Sequence, residues 1–174
     1  MGSFLILFLV IFPVAAALPV YSLRRRGREL RDRYVRFIPL IELAAAAALL
    51  ALPGSAALPG VCGLGLYFAS GSLHSLLAVL TAFLWVGSAL PCREYFAAVE
   101  RCNRFYFSWL MTLGALMGVF LSSDLFTLFV FFEMMSFTSY IWVVQNETAE
   151  ALRAGETYLA IAVAGGMIAG CTPF

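Results

Sequence analysis

Apolar runs long enough to cross a bilayer recur along this chain, with short polar segments between them. A spanning helix needs about 20 mostly apolar residues, and the pattern approaches this length six times. The pattern therefore predicts an all-α fold, in which residues 1–174 form a single membrane domain, a bundle of about six transmembrane helices. The predicted spans cover residues 4–23, 37–52, 72–90, 105–121, 125–144 and 156–174.

The segments between these spans carry residues that break helices or prefer water. Residues 53–60 contain two proline–glycine pairs and end the second span. Residues 61–71 are rich in glycine, which predicts a short extended or interfacial segment, and residues 92–103 predict a polar loop. Asp124 precedes the fifth span and is expected to cap its first turn.

Composition and charge support the membrane assignment. The chain is 63% hydrophobic and only 12% charged, with a mean hydropathy of +0.93, which leaves too little charge for a water-facing surface. All eleven basic residues are arginines, and seven of them lie in residues 24–36, a predicted loop. With six spans and an outside N-terminus, every arginine falls on one side, which the positive-inside rule makes cytoplasmic. We expect a multi-pass protein of a bacterial or archaeal inner membrane.

Several classes of function find no support in the sequence. The four cysteines form no CxxC pair and there is one histidine, so we expect no metal and no cofactor. No phosphate-binding loop or nucleophile motif occurs, so no self-contained active site is predicted. A small membrane enzyme is the weakest hypothesis, and turnover by the isolated chain would revive it. The arginine-rich segment lies between two spans, so we expect it to contact lipid headgroups and not nucleic acid.

Glu133 is the leading candidate for chemistry. It lies about 12 Å along the fifth span from Leu125, at 1.5 Å per residue, and so near the middle of a hydrocarbon core about 30 Å thick. An acidic residue there costs at least ~2.5 kcal/mol on insertion scales. We therefore expect Glu133 to face a cavity or a partner, or to be protonated, and to accept and release a proton. The alternative is a neutral acid that only joins helices by hydrogen bonds.

Hydroxyl groups follow Glu133 on the same span. Ser136 and Ser139, with Thr138 between them, are candidates for a path of water and protons beside the acid. The alternative is that these small polar residues serve helix packing, and the sequence leaves the two interpretations open.

Three other ionisable residues are expected to have structural roles. Glu42 is predicted one turn into the second span, where Arg33 or Arg36 would pair with it. His74, near the start of the third span, is expected to be a hydrogen-bonded structural residue. Glu156 is predicted at the start of the sixth span, where the positive end of the helix dipole favours an acid.

The segment from Arg104 to Tyr140 resembles the antiporter-like membrane subunits of respiratory complex I (NADH-quinone oxidoreductase). The same family includes subunits of multi-subunit sodium/proton antiporters and of membrane-bound hydrogenases. The matching pattern is Gly118-Val-Phe-Leu-Ser-Ser-Asp124 followed by Phe132-Glu133-Met-Met-Ser136. Residues 154–166 resemble the next helix of the family. The resemblance is specific over residues 104–167 and looser over residues 1–103.

The resemblance implies a role for Glu133. It matches the fifth-helix glutamate that pairs with a lysine on a later helix during proton transfer. Family members have about fourteen helices, whereas this chain has about six predicted spans and no lysine. The resemblance thus implies the N-terminal portion of such a subunit: a fragment, a truncated product or half of a split subunit.

Two hypotheses about function follow. In the first, the chain belongs to a proton- or sodium-translocating complex and performs no redox chemistry itself. Its partners would be other membrane subunits, the lipid bilayer, and further helices of the same subunit or of a companion chain. In the second, it is a structural or assembly element without transport activity. The choice between H⁺ and Na⁺, and the redox partner, stay open.

Overall fold

A computed structural model describes residues 1–23, 27–61, 64–90 and 102–170. For residues 169–170 it describes the backbone only. Within these ranges the chain forms seven helices and one antiparallel pair of short strands. The helices are α1 (Gly2–Ala17), α2 (Pro19–Leu23), α3 (Arg28–Ala51), α4 (Ser72–Ala89), α5 (Cys102–Leu121), α6 (Leu125–Val143) and α7 (Ala149–Gly170). The strands β1 (Ser55–Leu58) and β2 (Leu66–Ala69) lie between α3 and α4.

The described chain contains five helical segments that are long and apolar enough to cross a membrane. They are α1 together with α2, and then α3, α4, α5 and α6. This confirms the predicted helical membrane bundle. The helix α7 has 22 residues but is not among the five, so the sixth span stays a prediction.

The observed boundaries refine the first two predicted spans. Pro13 and Pro19 are both expected to interrupt the first span; the break occurs at Leu18, immediately before Pro19, whereas α1 continues through Pro13. The second helix begins at Arg28, so residues 28–36, predicted as a loop, are helical; residues 24–26 lie outside the described ranges. Arginine, glutamate and leucine favour helix, and this segment consists mostly of them.

The last helix also begins earlier than predicted. Its first residue is Ala149, and the Thr148 hydroxyl accepts a hydrogen bond from the Ala151 N–H at 3.1 Å, as an N-cap does. Glu156 therefore lies about two turns inside α7. The prediction that it meets the positive end of the helix dipole is wrong, because that effect fades within the first turn.

The β-hairpin closes one end of the bundle. Its strands pair from Ser55 opposite Ala69 to Leu58 opposite Leu66. The Tyr67 N–H donates to the Thr127 hydroxyl at 2.9 Å, which ties the hairpin to α6. We call this the hairpin end of the bundle, formed by residues 52–61, 64–71 and 122–124, and we call the opposite end the arginine end. The glycine-rich segment is thus extended as predicted over β2, and pairs with a strand that the sequence did not predict.

Arg31 joins two helices at the arginine end. Its side chain is buried, and Nη1 donates to Oδ1 of Asn103 on α5 at 2.7 Å. Nε and Nη2 donate to Oδ1 of Asp32 at 2.9 and 2.7 Å, and the guanidinium carbon lies 5.1 Å from the centre of the Tyr106 ring. An arginine expected only as a topology signal therefore also holds α3 against α5.

Two apolar clusters fill the interior, one toward each end. Trp85 of α4 packs against both, and its ring lies 5.9 Å from Trp109 and 5.8 Å from Trp142. The cluster toward the hairpin end includes Ile6, Leu9, Ala46, Leu49, Ala78, Ala82 and Leu113, and the cluster toward the arginine end includes Ala17, Val35, Ile38, Ala89, Tyr106 and Leu110.

Gly114 allows α1 and α5 to approach closely. A Cβ atom at this position would lie 2.9 Å from the Val10 carbonyl oxygen and 2.7 Å from Cγ2 of Val14. The first of these atoms belongs to the backbone, which cannot turn aside without moving α1. Small residues at such crossings are the usual means of close packing between membrane helices.

We expect Gly114→Ala to lower the stability of the folded chain by about 1–3 kcal/mol, the usual cost of overpacking. Thermal unfolding in detergent measures this. Gly87→Ala is the matched control, because a Cβ atom there would meet nothing within 4 Å. Equal melting temperatures for the two variants would contradict the assigned contact.

Candidate functional site: carboxylates within the membrane bundle

The start of α6 is fixed by the predicted cap. Oδ1 of Asp124 accepts a hydrogen bond from the Thr127 N–H at 2.9 Å, and Oδ2 contacts the Thr127 hydroxyl. The helix then runs without a break through Glu133. The capping prediction is confirmed, and it sets Glu133 about 12 Å from the hairpin end of the helix.

Glu133 is partly buried and lies against the backbone of α7. A Cβ atom at Gly166 would overlap Oε1 of Glu133 and lie 2.9 Å from its carboxyl carbon. Oε1 is shielded from solvent and has no hydrogen-bond partner among the described residues. A buried oxygen that lacks a partner costs free energy. The carboxyl group therefore occupies a space that the missing side chain of Gly166 leaves free.

The hydroxyl groups after Glu133 make their hydrogen bonds elsewhere. The buried Ser136 hydroxyl donates to the Phe132 carbonyl at 2.9 Å. The Ser139 hydroxyl lies 2.7 Å from the Met135 carbonyl and 2.6 Å from the Tyr158 hydroxyl of α7. Ser139 thus links α6 to α7, a contact that supports its packing role, and the path of water and protons stays a prediction.

Thr138 makes a similar link on another side of α6. Its hydroxyl lies 2.8 Å from the Thr112 hydroxyl of α5 and 3.0 Å from the Met134 carbonyl. Thr112 also donates to the Ser108 carbonyl at 2.8 Å. These hydroxyls satisfy helix carbonyls while they join neighbouring helices, as small polar residues do in membrane bundles.

The position and the surroundings of Glu42 differ from those predicted. Because α3 begins at Arg28, Glu42 lies nearly four turns inside the helix, and its side chain is fully buried, with 0% of its surface exposed. Neither carboxyl oxygen has a hydrogen-bond partner among the described residues. The expected ion pair with Arg33 or Arg36 is therefore wrong. Along the axis of α3, Arg33 and Arg36 lie about 13 and 9 Å from Glu42. Both arginines line a cavity of about 130 Å³.

His74 has a structural contact, in agreement with its prediction. Its Nδ1 accepts a hydrogen bond from the Gly71 N–H at 3.2 Å, at the start of α4. Across the ranges that the structure describes, no three histidine, cysteine, aspartate or glutamate residues lie close enough to bind a metal ion together.

Sequence reasoning missed Gly166, which lies against Glu133, and Tyr158, whose hydroxyl pairs with that of Ser139. Both lie in the predicted sixth span, so their helix was expected. Only the pairing of α6 with α7 shows which residues of that helix face Glu133. The doubled glycine at 165–166 was the one available signal, because glycine is the residue that permits close contact.

Comparisons with known proteins give relatives for most of the chain. A protein named as antiporter subunit mnhD2 in Staphylococcus epidermidis is 34% identical over 104 residues, or 58% of this chain and 20% of its own length. A protein named as a D-type subunit of a K⁺/H⁺ antiporter in Rhizobium meliloti is 31% identical over 169 residues, or 92% of this chain and 31% of its own length. The chain thus spans less than a third of the length of these relatives. No protein-family model matches the sequence.

Solved structures share the fold, among them a chain of the membrane-bound sulfane sulfur reductase, an archaeal respiratory membrane complex, with a TM-score of 0.80 and 22% sequence identity. The match covers 93% of this chain and 34% of the other. With its five apolar helices and its relatives, this chain is a multi-pass membrane protein.

We expect Gly166→Ala to turn the Glu133 carboxyl group away from α7. The atom that must give way is the end of a flexible side chain, so the melting temperature should change little while the surroundings of the carboxyl group change. The infrared carboxyl bands of Glu133, isolated by subtraction of a Glu133→Gln spectrum, measure this.

Gly165→Ala is the matched control, because a Cβ atom at residue 165 would meet nothing within 4 Å. Its Glu133 bands should coincide with those of the unaltered chain. Unshifted bands in Gly166→Ala would contradict the assigned contact.

Proposed function

Because this chain is homologous to D-type antiporter subunits, we propose that it is part of a membrane subunit of a cation/proton antiporter complex. Glu133 is the group that accepts and releases the proton in this proposal. The chain itself performs no redox reaction.

The surroundings of the Glu133 carboxyl group carry the proposal. Oε1 is buried and lacks a partner within the described residues, while Gly166 leaves room beside it. A glutamic acid that only joined helices would use its oxygens in hydrogen bonds across the interface. Ionisable residues inside membrane spans are rare, and they commonly mark ion or proton pathways.

Proton release requires that the charged form of Glu133 be stabilised for part of the cycle. A nearby cation does this, because an opposite charge within about 4–6 Å favours the carboxylate. The family resemblance assigns this role to a lysine on a later helix, and this sequence contains no lysine. We propose that the cation comes from further helices of the same subunit or from a companion chain.

The outer surface of α7 is proposed as the place where such helices pack. Its large apolar side chains are exposed in this chain: Ile161 by 68%, Met167 by 60% and Ile168 by 71%. A helix packed there would extend the bundle beyond α7, the helix that carries Gly166. Other membrane subunits and lipid would cover the remaining apolar surface of the bundle.

We expect Glu133→Gln to reduce cation-driven proton transport by roughly tenfold or more, since a positioned proton-transfer group contributes at least that much. Glutamine keeps the size and polarity of the side chain and removes only its ability to ionise. The assay is the collapse of a pH gradient on cation addition, in membrane vesicles that hold the complete complex. Glu150→Gln, an exposed carboxylate at the start of α7, is the control and should transport normally.

The same vesicles separate the two hypotheses about function. Assembly of the Glu133→Gln complex, measured by native gel electrophoresis and thermal unfolding, should match that of the unaltered complex. Normal transport combined with a loss of assembly would replace the proton-transfer role with a structural one.

A further inference from the structure

Glu42 is a second carboxyl group inside the bundle, and the function proposed above makes no use of it. It lies about 13.5 Å from the end of α3 at Ala51, whereas Glu133 lies about 12 Å from the start of α6. Both measurements begin at the hairpin end, so the two carboxyl groups lie at nearly the same depth. Glu133 is on the outer helix α6, whereas Glu42 is enclosed, with 0% of its side chain exposed.

Apolar residues surround the level of Glu42 on α3. On the arginine side lies Ile38, which belongs to one apolar cluster, and on the hairpin side lies Ala46, which belongs to the other. Glu42 is therefore at the boundary of the two clusters, and its carboxyl oxygens have no hydrogen-bond partner among the described residues.

No cation is available to Glu42 among the residues that the structure describes. The ionisable residues of α3 other than Glu42 all lie in its first nine positions, toward the arginine end. The neighbouring helix α1 has no ionisable side chain, α2 has only a tyrosine, and the histidine of α4 lies at the hairpin end. The helices near Glu42 carry the following other ionisable residues: Arg28, Glu29, Arg31, Asp32, Arg33, Tyr34 and Arg36 of α3, Tyr21 of α2, His74 of α4, and Cys102, Arg104 and Tyr106 of α5.

An ionised carboxylate in such a place would be buried without compensation, which proteins avoid by neutralising the group. A metal cation cannot supply the compensation, because Na⁺ and K⁺ need several oxygen ligands. Both oxygens of Glu42 lack a hydrogen-bond partner among the described residues, and no group of three histidine, cysteine, aspartate or glutamate side chains that could hold a metal ion occurs in those ranges. A proton needs only the carboxylate itself.

We propose that Glu42 is a proton-binding site within the membrane bundle, separate from Glu133, which takes H⁺ and excludes metal cations. The site holds its proton at neutral pH as a carboxylic acid. It therefore lets α1, α3 and α4 pack around an acidic residue without a buried charge.

Infrared spectroscopy of the complete complex tests this directly. The spectrum of the unaltered complex minus that of Glu42→Gln should contain a carboxylic-acid C=O band at neutral pH, and the band should shift in D₂O. Glu29→Gln removes an exposed carboxylate from the same helix and supplies the reference for ionised bands. The C=O band should be unchanged by addition of Na⁺ or K⁺.

Glu42→Gln should also fold and keep its melting temperature, because glutamine is neutral and of the same size. The proposal is overturned if subtraction reveals carboxylate bands, if Na⁺ or K⁺ removes the C=O band, or if Glu42→Gln fails to fold. None of these outcomes bears on transport by Glu133, because the spectral test involves only Glu42.

Discussion

Close contact between helices at glycine positions is the constraint on which this bundle depends. Within the bilayer, helices gain little from the hydrophobic effect and associate mainly through packing and hydrogen bonds. Gly114 brings α5 against the backbone of α1, and Gly118 receives the ring of Phe131 from α6. Gly155 receives Tyr140, and Gly166 receives the carboxyl group of Glu133. Glycine positions thus allow the helices to pack closely, and one of them also makes room for the candidate proton-transfer group.

The two carboxyl groups inside the bundle have different surroundings, and the difference suits them to different tasks. Glu133 is partly exposed and lies beside α7, whose outer apolar surface is open to a further helix. A cation brought within about 4–6 Å of the Glu133 carboxyl group would favour its ionised form. Glu42 is fully buried at the boundary of two apolar clusters, and burial without a partner favours the uncharged acid. Depth alone would not have distinguished them.

The sequence predicted the elements of this fold better than their contacts. Hydropathy located the spans, and Asp124 marked the start of α6, because both signals are local. Helix α3 began earlier than predicted because residues 28–36 were interpreted through their charge and not through their helix propensity. That error placed Glu42 one turn into the helix, whereas it lies near the centre, and it suggested an ion pair that is absent among the described residues. The contact of Gly166 with Glu133 depends on how two helices pair, which no local signal contains.

The central claim is that Glu133 changes its protonation state as the complex works. Infrared difference spectra of the complete complex, recorded before and after a cation gradient is applied, measure that change directly. The account predicts that the carboxylic-acid C=O band of Glu133, assigned by its absence in Glu133→Gln, loses intensity while a carboxylate band appears. A Glu133 band that stays constant while the unaltered complex transports protons would contradict it.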